Sequence, residues 1–345
     1  MTRGGGAEGA SQGPDGKPQR HVPVLVSEVL ESLAPKDGEI YIDGTFGAGG
    51  YTRAILGSAN CKVLALDRDP GAVRDAAQLI DEASGRLNVV GAPFSQLEDV
   101  ASAELSGERP DGVVLDIGVS SMQLDDAERG FSFRHDGPLD MRMSGSGPTA
   151  ADFLNEAEEE DIANVIFAFG DEHKSRSIAR AIVRRRAEAP FARTLELANT
   201  VSRVFHGRKV DGRHPATRTF QALRIYVNDE LGELANALAA AERLLKPGGR
   251  LVVVSFHSLE DRIVKRFFSE RSGKAASGSR HFPQGSIKSA QPSFRIVNSR
   301  PLTPSKGELD VNPRARSARL RAAIRTDADP WPLDFETLGV PRLQS

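Results

Sequence analysis

Short apolar runs separated by helical patterns dominate the first 120 residues, and the same pattern returns after about residue 216. Runs of mainly apolar, β-forming residues that end at Gly, Asp or Pro predict buried strands. Five such runs occur, at Ile40–Ile42, Val63–Leu66, Leu87–Val90, Asp111–Asp116 and Leu251–Val254. Helix-start signals such as Asp69-Pro70 lie between them. Strands that alternate with helices predict an α/β fold with a mainly parallel sheet.

A different pattern fills residues 125–215. Residues 125–148 are polar and rich in glycine without a clear period, and long irregular segments of this kind are often functional. Apolar stripes then predict helices around Ile162–Phe169, Lys174–Ala187 and Thr194–Phe205. We therefore predict that 125–215 is a helical, substrate-recognition insertion in a discontinuous α/β domain. That domain is predicted to comprise residues 21–124 and 216–325.

The remaining segments give weaker local predictions. Residues 1–20 lack an apolar period and predict a disordered tail, and 326–345 form a C-terminal tail without a clear pattern. Residues 216–245 predict one long helix, interrupted near Gly232. The remaining predictions are a capping box of Ser258 and Asp261, a mobile loop at 272–292, and last strands at 294–297 and 317–324.

Composition excludes several classes of protein. Hydrophobic residues make up 39% of the 345-residue chain and charged residues 27%, as in ordinary globular proteins. No run of 18 apolar residues and no apolar leader segment is present, which favours the cytoplasm over a membrane. The single cysteine excludes an intramolecular disulfide, and the scattered histidines predict no metal site. Since the net charge is only −2, a nucleic-acid surface would have to be a local patch.

The first predicted strand ends at Asp43 and runs into a glycine-rich turn. Glycine accepts positive φ and lets a ligand approach the backbone, so this turn is a candidate nucleotide site. Asp67 closes the second strand about 20 residues after Gly47, the spacing of a carboxylate that accepts from ribose hydroxyls. The alternative is a plain turn beside a surface aspartate. Phe94, after the third strand, could stack on an adenine or could cap the core.

The fourth strand ends in Asp116, followed by another glycine-containing loop. Because parallel strands end at one edge, Asp43, Asp67 and Asp116 are predicted to face one crevice. Asp116 could instead cap the next helix. Thr52 replaces the third glycine of the dinucleotide motif, which leaves nicotinamide and S-adenosylmethionine as competing cofactors. The turn at 246–249 resembles the one before strand five in many methyltransferases.

Basic residues cluster in three places. A helical face carries arginines at i, i+4 and i+8, and two further groups precede and follow the fifth strand. Such faces are commonly solvated surface, but three beside one crevice favour a phosphate backbone. The candidate RNA-binding residues are Arg180, Arg184, His214, Arg218, Arg224, Arg262 and Lys265.

Seven long segments occur in the order of one known family. They are Asp43–Gly50, Leu66–Pro70, Asp116–Ser121, Gln123–Phe133, Asp136–Met143, His214–Gln221 and Ser255–Arg266. Over about His21–Arg325 the chain resembles the RsmH/MraW family. Its members are bacterial methyltransferases that act on N4 of a cytidine of 16S rRNA in the decoding centre of the small ribosomal subunit. The resemblance implies a Rossmann-like class I methyltransferase sheet, with S-adenosylmethionine as cofactor and 16S rRNA as partner.

The resemblance also implies roles for individual residues. Contacts to the cofactor are implied for Gly49, Gly50, Tyr51, Asp67 (ribose), Phe94 (adenine), Asp116 and Gln123 (methionine end). Tyr51 and Met122 depart from the histidine and proline that the family often has there, and a backbone contact would survive both changes. Asp116, Ser120 and Ser121 are the candidate catalytic acceptors for the amine, by analogy with other amino-methyltransferases.

Two alternatives remain at this point. One is a methyltransferase for DNA or a small molecule, which would act without a ribosomal substrate. The other is a nonenzymatic RNA-binding assembly factor that keeps the fold, against which the intact Asp67 and Asp116 argue. The sequence leaves open whether naked rRNA or an assembled subunit is the substrate, and whether the protein is a monomer or a homodimer.

Overall fold

A computed structural model describes residues 23–273 and 291–341. Seven strands form one sheet: β1 (Ile40–Asp43), β2 (Lys62–Asp67), β3 (Leu87–Gly91), β4 (Gly112–Asp116), β5 (Arg250–Ser255), β6 (Phe294–Ile296) and β7 (Arg319–Arg325). Helices cover both faces of the sheet, which confirms the predicted α/β class. The predicted disordered tail and most of the loop predicted at 272–292 lie outside the described residues.

The order of strands in the sheet is β3-β2-β1-β4-β5-β7-β6. Strands β1 to β5 are parallel, and β7 runs antiparallel between β5 and β6. The order reverses between β1 and β4, so their connections leave in opposite directions and open a crevice beyond their carboxyl ends. This crevice holds the candidate site.

Fifteen helices flank the described strands: α1 (Val26–Leu33), α2 (Gly50–Ser58), α3 (Pro70–Asp75), α4 (Ala77–Glu82), α5 (Leu97–Glu104), α6 (Ser121–Asp125), α7 (Ala150–Glu156), α8 (Glu159–Gly170), α9 (Ser175–Arg186), α10 (Thr194–Val204), α11 (Thr217–Val227), α12 (Glu230–Leu244), α13 (Ser258–Arg271), α14 (Lys306–Val311) and α15 (Phe335–Leu338). Helices α8, α9 and α10 pack in sequence, and α8 packs on α11. The helices of the predicted insertion thus share the core of the sheet domain.

Side-chain alternation along the strands explains the two-sided packing. Ile42 and Leu115 face one apolar core, whereas Tyr41 and Val114 face the other. Because successive strand residues point to opposite faces, apolar residues at every position require both faces to be covered. None of the described helices combines the length and apolarity needed to cross a membrane.

The helical stretch predicted at 216–245 is interrupted, as expected, but the break lies a few residues before Gly232. The chain turns at Asn228 and Asp229, where Asp229 has φ of 46°. Gly232 lies inside the first turn of α12, where a Cβ would come within 2.4 Å of the Asp229 carboxylate. The glycine therefore serves close packing beside the turn rather than the break itself.

Helix α13 begins one residue earlier than the predicted capping box. His257 is its N-cap, and Glu260 rather than Asp261 completes the box. Asp261 instead accepts hydrogen bonds from Arg319 and Arg321 on β7. This shift matters because it turns the Glu260 carboxylate towards the end of β5.

Residues 326–341 of the predicted C-terminal tail pack on the sheet domain. The Trp331 N–H donates to Glu242 (3.2 Å), and Arg271 donates to the Pro332 carbonyl (2.9 Å). Leu338 is fully buried. The Arg271–Glu242 ion pair anchors this segment to α12 and α13.

Candidate active site

A cavity of about 550 Å³ opens beyond the carboxyl ends of β1, β2, β4 and β5. Its lining includes many of the residues predicted from the sequence: Gly50, Tyr51, Asp67, Phe94, Asp116, Ser120, Ser121, Gln123 and Arg224. Thr217, Gln221 and Arg224 of α11 also line it. We call the part lined by residues after β1 and β2 one half of the cavity and the part lined by α11 the other; Asp116 ends β4, which lies between β1 and β5 in the sheet.

The glycine-rich loop after β1 is compact. Gly47 and Gly49 have φ of 53° and 73°, and a Cβ at Gly49 would lie 2.8 Å from Leu79. Tyr51 is buried, and its hydroxyl donates to the Val24 carbonyl. The tyrosine side chain thus holds the segment before α1 against the loop, which leaves the backbone of the loop to face the cavity.

Asp67, at the end of β2, organises the same loop. Its Oδ2 accepts from the Gly47 N–H (2.7 Å) and its Oδ1 from the Asp69 N–H (2.8 Å). Burial raises the pKa of Asp67 in spite of these two bonds. Each carboxylate oxygen retains a free lone pair, and the residue lines the cavity, so the carboxylate can still accept from a ligand.

Asp69 is a site residue that the sequence analysis treated only as part of a helix start. It is buried and accepts from Gln123 Nε2 (2.8 Å), Arg129 Nη1 (2.7 Å) and the Gly71 N–H (2.8 Å). Burial opposes its ionisation, but the bonds from Gln123 and Arg129 outweigh it and lower the pKa of Asp69. The carboxylate thereby ties α6 and the irregular segment to β2.

Gln123 and Ser120 are both used within this network. Gln123 completes a capping box at the start of α6, with its Oε1 accepting from the Ser120 N–H (3.0 Å). Ser120 Oγ accepts in turn from the Gln123 N–H (3.2 Å). Within the part of the chain that the structure describes, the Gln123 amide forms hydrogen bonds only with the Ser120 N–H and with Asp69. The first role of Gln123 is therefore to fix the loop after β4.

Asp116 differs from these residues because it is incompletely paired. Its Oδ1 is shielded from solvent and has no hydrogen-bond partner among the described residues, although the side chain lines the cavity. Burial, followed by the charges of Asp43 and Glu260, raises the pKa of Asp116 well above its usual range. A buried carboxyl group without a partner is costly, which marks this position for a ligand.

Two cavity-lining side chains, Arg224 and His257, each pair with a buried glutamate. Arg224 donates from Nε and Nη2 to the two oxygens of Glu230 (2.7 and 2.8 Å). Glu260 accepts from the Phe256 and His257 N–H groups, and its Oε1 lies 2.9 Å from His257 Nε2. Burial opposes ionisation of Glu260, but His257 and Arg224 outweigh it and lower its pKa.

Three of these groups have the chemistry of metal ligands. One donor atom each from Glu230, His257 and Glu260 lies within 4.8 Å of the others. Both oxygens of Glu230, however, already accept from Arg224, whose positive charge would face a bound cation. The arrangement therefore fits paired charges rather than a divalent ion.

The other predicted RNA-binding residues lie outside the cavity. Arg180 and Arg184 share the exposed face of α9, and Arg262 and Lys265 share that of α13. His214 is exposed with its ring 4.8 Å from that of Phe133. Arg218 pairs with Asp211 (3.0 Å) and also donates to the Asp171 carbonyl, whereas Arg224 is the member of the set that faces the cavity.

Asp43 is fully buried and is not among the residues that line the cavity, so the prediction that it faces the crevice with Asp67 and Asp116 is wrong. It instead gives the stability of the protein a testable pH dependence. Its buried carboxylate accepts from Thr52 Oγ1 (2.7 Å) and the Thr45 N–H (3.1 Å), yet burial raises its pKa to about 6. A raised carboxyl pKa means that the folded state binds the proton more tightly than the unfolded state. The contribution of this group to the free energy of unfolding is therefore lost as pH rises from about 4 through 6. We expect Asp43→Asn to gain about 2 kcal/mol of unfolding free energy relative to wild type between pH 4.5 and 7.5.

Urea unfolding of both proteins at pH 4.5 and 7.5 measures this difference. Asp99→Asn, at an exposed position of α5, is the control and should keep a constant difference from wild type at the two pH values. The same constancy in Asp43→Asn would show that Asp43 ionises normally in the folded protein.

Comparison with known proteins identifies the family. The family model described as "MraW methylase family" matches residues 18–326. The chain belongs to this family. The methylase is 60% identical over 317 residues to a protein of Azorhizobium caulinodans named ribosomal RNA small subunit methyltransferase H, covering 92% of this chain and 90% of the relative. A Caulobacter vibrioides protein of the same name is 57% identical, with 90% and 97% covered.

Solved structures are more distant. An rRNA methylase from Streptococcus thermophilus gives a TM-score of 0.34 at 10% identity, covering 88% of this chain and 94% of the other. A SAM-dependent O-methyltransferase from Thermotoga maritima gives 0.38 at 11% identity, with 89% and 68% covered. The family membership of the methylase thus rests on its sequence relatives. It confirms the predicted family resemblance and S-adenosylmethionine, rather than a nicotinamide, as the cofactor.

Proposed function

We propose that this methylase transfers a methyl group from S-adenosylmethionine to N4 of one cytidine of 16S rRNA, in the decoding centre of the small ribosomal subunit. Support comes from the family resemblance and from relatives at 56–60% identity named for small-subunit rRNA methylation. The observation that carries the chemistry is the unpartnered, shielded Oδ1 of Asp116 between the two halves of the cavity. The setting is the cytoplasm, where ribosomal subunits are assembled.

The half of the cavity beside β1 and β2 fits the cofactor. Asp67 would accept from the ribose hydroxyls, and Phe94 would lie against the adenine. The backbone of Gly49, Gly50 and Tyr51 would contact the cofactor, as the family resemblance implies. When bound, S-adenosylmethionine supplies an activated methyl group on a positively charged sulfur.

Asp116 would link the cofactor to the acceptor. A nearby positive charge favours the ionised form of a carboxyl group, so cofactor binding would lower the raised pKa of Asp116. The carboxylate could then accept a hydrogen bond from the cytosine amine and guide the loss of its proton. The nitrogen lone pair is delocalised into the ring, so alignment of amine and methyl group is the main task of the protein. Since Ser120 caps α6, Ser121 remains the better second contact.

The insertion at 125–215 would bind rRNA around the cavity. Arg180 and Arg184 on α9, His214 and Arg218 at the start of α11, and Arg262 and Lys265 on α13 would contact phosphates. Because these basic groups lie on both the insertion and the sheet domain, the rRNA, which we propose is bound within the small subunit, would contact both. We expect binding to weaken steeply with salt as these contacts release counterions.

Methyl transfer from labelled S-adenosylmethionine is the direct test. The substrates would be small subunits that lack the modification, naked 16S rRNA and DNA, with nucleoside mass spectrometry of the products. We expect N4-methylcytidine at one rRNA position, with subunits as the best substrate. Transfer to DNA alone, or cofactor binding without transfer to any RNA, would contradict the proposal and favour the alternatives set out above.

A further inference from the structure

The acceptor half of the cavity contains one face of α11. Thr217, Gln221 and Arg224 lie at i, i+4 and i+7, and all three line the cavity. Arg218, six residues before Arg224, belongs to a different face and pairs with Asp211 near the surface. The helix therefore separates one cavity-facing arginine from the basic residues outside.

Arg224 is held in one orientation but is not fully paired. Glu230 is buried and binds Nε and Nη2 in a bidentate contact, while Nη1 has no hydrogen-bond partner among the described residues. Bidentate pairing fixes the plane of a guanidinium group. Burial opposes ionisation of Arg224, but the Glu230 carboxylate outweighs it and raises the arginine pKa. The Arg224 guanidinium group is therefore a charged hydrogen-bond donor with a fixed orientation, and it has no acceptor atom.

Asp116 lines the same cavity and offers the complementary group. The unpartnered Oδ1 belongs to Asp116, and both Asp116 and Arg224 interact electrostatically with Glu260. Cytosine presents an amine donor at N4 beside acceptors at N3 and O2, whereas uracil presents an acceptor at O4 beside a donor at N3. A fixed donor and an unpartnered acceptor in one cavity match the edge of cytosine and oppose that of uracil.

Resting on the proposed function, we propose that Arg224, oriented by Glu230, selects the acceptor base by donating to N3 and O2 of cytosine while Asp116 receives N4. Arg224 would contact the substrate and determine specificity. Glu230 would be a positioning residue that acts through Arg224. The alternative is that the pair only joins α11 to α12, in which case its loss would affect stability without changing base preference.

The test compares Arg224→Gln and Glu230→Gln with wild type on unmodified small subunits. Three readouts are needed: methyl transfer, S-adenosylmethionine affinity by calorimetry, and competition by subunits whose target cytidine is changed to uridine. We expect Arg224→Gln to lower kcat/KM at least about 100-fold while the Kd for the cofactor stays within about threefold. Wild type should bind cytidine subunits about tenfold more tightly than uridine subunits, and the variant should lose this preference.

Arg218→Gln is the matched control on the same helix. It should weaken the binding of cytidine subunits and of uridine subunits by the same factor, as expected for a phosphate contact. Arg224→Lys keeps the charge and most of the packing but lacks the planar fork, so it should retain the cofactor affinity and lose most of the base preference. This variant tests the inference even where Arg224→Gln does not fold.

Two results separate this inference from the proposed function. Wild type that forms no N4-methylcytidine overturns both. Wild type that forms it, together with an Arg224→Gln or Arg224→Lys protein that retains the rate and the preference for cytidine, overturns the role of Arg224 alone. Glu230→Gln with unchanged base preference would remove its positioning role.

Discussion

Asp116→Asn is expected to lower the turnover number by two to four orders of magnitude, with the Kd for S-adenosylmethionine changed less than tenfold. The two side chains have almost the same shape, so the packing around the end of β4 is preserved. An amide cannot take up a proton, however, and it would point either a donor or a weak acceptor at the amine. The loss should therefore appear in the chemical step and not in cofactor binding.

Single-turnover methylation of small subunits at saturating cofactor measures this step. Ser121→Ala is the control for a nearby contact and should cost less than about tenfold, since it removes one neutral hydrogen bond. Unchanged turnover in Asp116→Asn with normal cofactor affinity would rule out Asp116 as the proton acceptor. Loss of cofactor binding without a change in the chemical step would assign it to the methionine end alone.

The strands and their closing carboxylates were predictable because both signals are local. Asp43, Asp67 and Asp116 each follow an apolar run, and parallel pairing then brings the three strand ends to one edge. The position of the break between α11 and α12 was harder to predict from the sequence. It depends on the left-handed turn at Asp229 and on the space beside Gly232, which are tertiary features rather than sequence patterns.

The orientation of Arg224 towards the cavity could have been predicted from the sequence. The closeness of Arg224 along the chain to His214 and Arg218 suggested one basic group. On a helix, however, positions six apart point about 120° away from each other, and Thr217 and Gln221 are the residues that share the face of Arg224. Helical periodicity therefore contained the signal that separates a cavity arginine from a surface arginine.

The contacts around Asp69 could not be predicted in this way. Gln123 and Arg129 reach it from 54 and 60 residues further along the chain. No periodicity within one element encodes such a pair, because the distance closes only when β2 and the loop after β4 meet at the sheet edge. What the sequence does supply is the charge, since a buried aspartate requires a partner of this kind.

Asp67→Asn is expected to raise the Kd for S-adenosylmethionine about 100-fold, or about 2.7 kcal/mol, with turnover at saturating cofactor reduced less than about fivefold. Both carboxylate oxygens accept from backbone N–H groups, at Gly47 and Asp69. Either orientation of the amide would place its NH₂ against one of these donors, which disturbs the loop and also removes an acceptor for the ribose.

Calorimetry and saturation kinetics distinguish this outcome from that of Asp116→Asn, because one variant should lose affinity and the other the chemical step. Asp75→Asn, at an exposed position of α3, is the matched control and should bind the cofactor like wild type. A folded Asp67→Asn protein whose Kd stays within threefold of wild type would show that the ribose is held elsewhere. The two halves of the cavity would then have to be assigned again, since the carboxylate of β2 is what places the cofactor on the β1 side of Asp116.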